Sequence, residues 1–298
     1  MSDNSISSPA EPQPVSSKPP PPKRQRAARD MGPSPAVGFP NGPVLRPVSV
    51  ADVKGALAQG WADFRAAPQF GLFFGGFYAL GGIFLYVCLA VWDTPWAIIP
   101  PAIAFPLLGP FIAVGLYEVS RRLSSGAPLA WGPVLNVVSQ QKDRQLGWMA
   151  FVMLFVFWIW AYQVRLLLAI FLSTASFSSL GGLIEVVFTT ENGLAFLGTG
   201  VVIGAILALV LFSVTVIGIP LLLDRDLDIV TAVASSVAVV RRNPAPMLAW
   251  GIVVTVVMIL AMAPAFLGLL VALPVLGHAT WRLYERAVAP IEAPAAAA

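Results

Sequence analysis

LGWMAFVMLFVFWIWAYQVRLLLAIFL, residues 146–172, carries a single charged side chain, Arg165. A helix crosses the ~30 Å of bilayer hydrocarbon with about 20 apolar residues. This run therefore reads as one transmembrane span with residues to spare. Working outward, five more stretches read the same way: Phe70–Trp92, Trp96–Val119, Leu194–Leu223, Met247–Ala263 and Pro264–Tyr284. The last two meet at Pro264 and hold more residues than one crossing requires, so they read as a tight hairpin. Apolar residues make up 57% of the chain and charged ones 11%, well below the roughly 25% charged of a soluble domain. Mean hydropathy is +0.79. The fold class expected is an all-α membrane protein with six transmembrane helices arranged as three hairpins.

Lys and Arg set the expected orientation, because they accumulate in loops on the cytoplasmic side. Eight precede the first span, from Lys18 to Arg65. Arg121, Arg122, Lys142 and Arg144 follow the second, Arg225, Arg241 and Arg242 the fourth, and Arg282 and Arg286 the sixth. The alternate loops, around Asp93, over residues 173–193 and around Pro264, have none. This alternation places both termini in the cytoplasm. Lys23, Arg24, Arg121, Arg122, Arg241 and Arg242 are the expected topology and lipid-surface residues.

Residues 1–47 hold twelve of the 27 prolines and a basic cluster at Lys23, Arg24, Arg26 and Arg29. A segment so poor in apolar residues cannot offset its ordering entropy, so it reads as a disordered cytoplasmic tail without a signal peptide. Residues 48–286 form the membrane domain, and 287–298 read as a second disordered tail. Within the domain, Asp52–Pro68 and Asp228–Pro244 align at constant offset: Asp52 with Asp228, Ala56 with Ala232, Arg65 with Arg241, Pro68 with Pro244. Both space apolar residues at helical intervals, Val53, Leu57, Trp61 and Phe64 in one and Ile229, Val233, Val237 and Val240 in the other. Trp131–Arg144 is a weaker third copy. The repeat unit expected is a cytoplasmic amphipathic helix lying in the headgroup region, followed by a hairpin. Residues 178–190 read as a further interfacial helix on the outer side, with Glu185 and Glu191 away from its apolar face.

The candidate polar site is Gln163, Arg165, Glu185, Asp224 and His278. An intramembrane charge is costly and demands a partner, and Glu185 is one candidate for Arg165. His278, the one histidine, stands four residues after Pro274, as Asp224 does after Pro220. A His–carboxylate pair between the repeats would suit a proton relay; a histidine hydrogen-bonded between helices is the plainer alternative. Asp224-Arg225-Asp226-Leu227-Asp228 resembles a hard-cation loop, but Asp228 opens an amphipathic helix and reads as its cap. Pro100, Pro101, Pro106 and Pro110 bend or shape the second span. Gly71-x-x-x-Gly75 and Gly200-x-x-x-Gly204 permit close helix contact. One histidine and one cysteine, Cys88, supply neither a bis-histidine haem nor a cysteine metal site, so no metal or cofactor is expected. Phosphate-cradling loops, HExxH and a nucleophile elbow are missing from the sequence.

The segments Gly60–Pro68, Gly71–Leu80, Tyr162-Gln163-Val164-Arg165 and Leu273–Trp281 give the chain a resemblance to bacterial integral membrane proteins of domain of unknown function 2189. That resemblance, over Val48–Arg286, implies an inner-membrane location and lends no activity. The function expected is that of a non-enzymatic accessory or assembly factor binding lipid and a membrane-protein partner or a second copy, with no nucleic acid. The alternative is a small-solute or proton-coupled transporter with a polar path near Arg165 and His278.

Overall fold

The structure, a computed structural model, describes residues 42–92, 94, 98–141, 145–173 and 180–290. Lys23 and Arg24 lie outside them. Eleven helices follow in order: α1 Val50–Ala66, α2 Pro68–Ala90, α3 Ile99–Ser125, α4 Trp131–Gln141, α5 Leu146–Phe171, α6 Leu180–Thr189, α7 Glu191–Thr215, α8 Gly218–Asp224, α9 Ile229–Arg242, α10 Pro244–Met262 and α11 Leu269–Ala287. The one β-bridge among the described residues pairs Leu45 with Val288.

Local chemistry sets the boundaries. Ser49 caps α1 in a reciprocal box, its hydroxyl accepting from the Asp52 N–H while Asp52 accepts from the Ser49 N–H, which satisfies two donors a helix start leaves free. A residue before proline is driven out of the α region. Ala67 (φ −141°, ψ 55°) and Asn243 (φ −127°, ψ 57°) accordingly break the chain in the same way, and Pro68 and Pro244 open α2 and α10. Asp228 caps α9 through the N–H and hydroxyl of Thr231. Asp52 therefore differs from its aligned partner: it is the third helical residue, and Ser49 is the cap.

Among the described residues five helical segments, against the six expected, are long and apolar enough to cross a membrane: α2, α3, α5, α7 with α8, and α10. The fourth is one segment broken at Val216–Ile217, where Pro220 supplies no N–H for the Val216 carbonyl and the Ile217 N–H donates to Ser236 of α9. Helix α11 falls short because Arg282, Glu285 and Arg286 occupy its last two turns. It runs antiparallel to α2, with Phe266 against Gly82, the Leu269 and Leu270 carbonyls against Gly75, and Pro274 against Gly71. Its second half then crosses α1, where a Cβ on Gly60 would stand 2.5 Å from the Ala279 nitrogen. The α10–α11 turn thus packs at the level of Gly82, while α2 continues to Ala90. Thr255 and His278 bracket a wholly apolar stretch, and the backbone N–H groups of Ala265, Phe266 and Leu267 bond within the turn.

The main core sits at one end of the bundle, where Leu146, Met149, Ile217, Leu221, Trp250, Trp281 and Leu283 meet. Leu45 and Val288 belong to it, so the ordered structure reaches into both segments that composition reads as tails. Arg46 N–H donates to Ala287 and Ala289 N–H to Val44, which sets the chain leading into α1 beside the chain leaving α11. Because Arg121, Arg122, Arg225, Arg282 and Arg286 gather around this core, we term it the basic end. Lipid-facing ladders run along the helices away from it, among them Trp148, Phe151, Phe155 and Trp158 of α5. The buried face of α9 is Thr231, Ala232, Ser235, Ser236 and Val239, while the stripe Ile229, Val233, Val237 and Val240 is half-buried. Small and hydroxyl residues let α9 approach the core closely, and the bulkier apolar ones are left towards its rim.

Candidate functional site: a buried polar hub at the basic end

The α1–α11 crossing brings the buried carboxylate of Asp63 against Arg282. Two parallel bonds join them, Nη2 to Oδ1 at 2.7 Å and Nε to Oδ2 at 2.8 Å, a bidentate geometry that fixes orientation as well as charge. Ser120 of α3 donates its hydroxyl proton to Asp63 Oδ2 at 2.9 Å, and Ser120 Oγ itself lies 2.8 Å from Nδ1 of His278. Since that single proton goes to Asp63, the imidazole must donate through Nδ1. Its Nε2 then has no partner among the described residues, and the ring is 0% exposed.

Arg282 also reaches Glu285 at 3.1 Å and the hydroxyl of Ser124, which donates to Glu285 in turn. Trp281 Nε1–H donates to the same carboxylate at 2.9 Å. Arg286 donates to the Asp52 carbonyl and to Gln59 of α1. Along one helix, then, Arg282 and Arg286 clamp α1, while Ser120 and Ser124 tie in α3. The chemical polarity is distinctive. A nucleophile–base pair needs the imidazole to accept from the hydroxyl, and here the imidazole donates to it. The hub is a lock between three helices.

Asp224 and His278 do not meet. Asp224 accepts from the Tyr284 hydroxyl at 2.6 Å and lies 3.8 Å from Arg225, because α8 ends beside the outer turn of α11, whereas His278 lies two turns earlier against α3. Arg165 is exposed on α5 and has no ion pair or hydrogen bond among the described residues; Glu185 is exposed on α6. Glu185, one candidate counter-charge for Arg165, does not pair with it. Gln163 is half-buried with both amide atoms shielded and without a partner among the described residues. The five candidates thus lie apart. On α6, Val187 is buried, as its apolar face requires, with Glu185 outward.

Arg121 and Arg122 both bind Glu118, at 2.7 Å each, and Glu118 is fully buried. Their charge is largely engaged within the protein rather than offered to lipid. Arg241 and Arg242 are exposed. The hub members Asp63 and Ser120 went unnoticed in the sequence, where Arg282 entered only among the basic residues that set orientation. The one available signal was an acid on the apolar side of α1, at helical spacing from Ala56 and Gly60. Among the described residues no group of three His, Cys, Asp or Glu side chains is placed to hold a metal.

No curated protein and no solved structure matches the chain. The family resemblance read from the sequence narrows to a segment that includes Ser120, Gln163, Arg165 and Asp224 and leaves out Asp63 and His278. Over residues 98–224, the chain matches the family described as predicted integral membrane protein, domain of unknown function 2189.

Proposed function

We propose that this is a non-enzymatic accessory protein of the bacterial inner membrane, acting by binding lipid and a membrane-protein partner at its basic end. The observation that supports it is where the polar groups lie. His278 is closed off in a buried network at one end, and Arg165 is exposed near the far end of α5. A solute path needs polar groups lining one continuous water-filled route. The basic end instead offers exposed Lys54, Arg65, Arg241 and Arg242 around a rigid core.

In this reading six membrane-embedded helices form three hairpins, each preceded by an amphipathic helix: α1, α4 and α9. Helix α11 is the sixth, its charges kept from lipid by α1 and α3, and the apolar α10–α11 turn rests within the hydrocarbon. The pairing of Val44–Arg46 with Ala287–Ala289 supports both ends lying on one side, and the positive-inside rule makes that side cytoplasmic. Reporter fusions in the Arg122–Gln141 connection and in α6 should report opposite compartments; agreement between them would overturn the topology.

For function, Arg165→Ala and His278→Ala should leave a co-purifying partner complex intact at matched expression. Loss of a solute-uptake phenotype in both variants would favour the second reading, a proton-coupled transporter. One observation speaks for that reading: Asp63, Ser120 and His278 form an unbroken hydrogen-bonded chain, ending in an unpartnered Nε2.

A further inference from the structure

We propose that the end of α9 and the start of α10 form a seat for an anionic phospholipid, with Arg241 and Arg242 at its phosphate and the exposed ladder of α10 along an acyl chain. The inference rests on the lipid-binding reading above and gives that reading a site and a ligand class.

An open groove of about 530 Å³ is lined by Ala234, Val237, Ala238, Arg241 and Arg242. Both guanidiniums are exposed, and neither has a hydrogen bond or ion pair among the described residues. Arg121, Arg122, Arg225, Arg282 and Arg286 all have protein acceptors. The free pair therefore stands out chemically, because a guanidinium fork matches phosphate oxygens and is the more weakly hydrated of the two basic head groups. Its position is equally specific. Asn243 breaks the helix and Pro244 begins a membrane span, so the arginines lie at the depth where headgroups lie. Beyond the break, Leu248, Ile252, Val256 and Ile259 are exposed along one face of α10. A basic pair followed in the chain by an exposed apolar ladder supplies the two chemistries a phospholipid needs.

The second joint of this type carries an independent instance. Arg65 stands three residues before Pro68, as Arg241 does before Pro244. It too is exposed and has no partner among the described residues, and Phe73, Phe77, Leu80 and Phe84 are exposed beyond it on α2. With one arginine in place of two, that joint should hold the same ligand more weakly.

Full-length protein in mild detergent, titrated with phosphatidylglycerol, phosphatidylcholine or inorganic phosphate and read by native mass spectrometry, tests the seat. Wild type should prefer phosphatidylglycerol. A basic residue near an anionic lipid surface contributes about fivefold in affinity, so R241Q/R242Q should weaken phosphatidylglycerol roughly 25-fold and R65Q about fivefold. R241K/R242K, which keeps charge without the fork, should fall between wild type and the glutamine variant; because it preserves charge, it reads the seat even if the glutamine variant folds poorly. Phosphatidylglycerol binding by R241Q/R242Q at the wild-type level overturns the seat. So does inorganic phosphate displacing the lipid at equal concentration, which would make the site one for a free anion. Either failure leaves the wider reading to its own test on Arg165 and His278.

Discussion

Asp63 and Arg282 meet inside the protein at the basic end, whereas Arg165 has no such partner near the far end of α5. The contrast extends to packing. In α2 and α3, which pack against α11, 28% of the spanning window is buried, against 6% in α5. Helix α11 buries ten positions, three of them polar or aromatic (His278, Trp281 and Tyr284), and a Cβ on Gly60 would collide with its backbone. Between α5 and α7, by contrast, a Cβ on Gly204 finds nothing nearer than Trp160 Nε1 at 3.9 Å, and an open apolar cleft of about 300 Å³ separates Trp160, Met153 and Gly204 from Pro106. Polar groups are concentrated where protein surrounds them, and the exposed side chains of the spans, Arg165 apart, are mainly apolar. Hydrocarbon explains the division: it offers no hydrogen bonds, so polar groups settle where other helices supply them.

The largest test removes one half of the pair. Asp63→Ala or Arg282→Ala leaves an uncompensated buried charge, and breaking such pairs costs about 3–5 kcal/mol. Thermal unfolding in detergent should show this for either variant, and Asp63→Leu combined with Arg282→Met should recover most of the loss. Single variants within about 0.5 kcal/mol of wild type would dissolve the distinction between the two regions.

The second test compares glycines. Gly60→Ala must push α1 off Ala279 and should cost about 1–3 kcal/mol, as overpacking does. Gly204→Ala meets only an ordinary contact with Trp160 and should be neutral within about 0.5 kcal/mol, or slightly favourable, because alanine narrows the unfolded ensemble. Equal losses at both sites would mean that α5 and α7 pack as tightly as the hub.

Those two glycines also show what was legible beforehand. Gly71 and Gly75 announced a close contact by their spacing, and the structure supplies it against α11; Gly200 and Gly204 share the spacing and make no comparable contact. A motif states that approach is permitted, and the partner's shape decides whether it happens. The apolar runs were readable because hydrocarbon imposes length directly. The hub was not, since Asp63, Ser120, His278 and Arg282 are separated by up to 219 residues and only the α1–α11 crossing unites them. Asp224 misled through repeat alignment: its place after Pro220 is equivalent to that of His278 after Pro274, but α8 is a seven-residue helix that ends beside Tyr284. The sixth expected span, α11, is the one that length and composition do not support, because the lock that makes the helix buried also makes it too charged to stand in lipid alone.

Gln163 sharpens the comparison from the weaker side. Its amide oxygen and nitrogen are both shielded and have no partner among the described residues, and a buried unsatisfied polar group carries a desolvation penalty of about 1–3 kcal/mol. Gln163→Leu should therefore stabilise the protein by about 1 kcal/mol in a thermal melt, opposite in sign to any apolar replacement of a single hub residue. A loss of similar size would show that the amide serves a contact in the membrane.

The smallest effect belongs to Asp228, outside both regions. The hydroxyl and N–H of Thr231 hold its carboxyl below the ordinary value of 3.8. A carboxyl lowered on folding stabilises the native state above its unfolded value, and that contribution is lost as pH falls through the folded one. The start of α9 should therefore loosen only in the acid range. Asp228→Asn keeps an acceptor for the cap without a titrating charge, so it should hold stability near neutral pH and flatten the acid limb of a melting-temperature profile. Asp228→Ala should lower stability at every pH above that limb. If Asp228→Asn instead tracks Asp228→Ala at neutral pH, the charge and not the hydrogen bond holds this helix start. The docking of α9 through Ser236 onto the α7–α8 break would then depend on electrostatics, as the α1–α11 lock does.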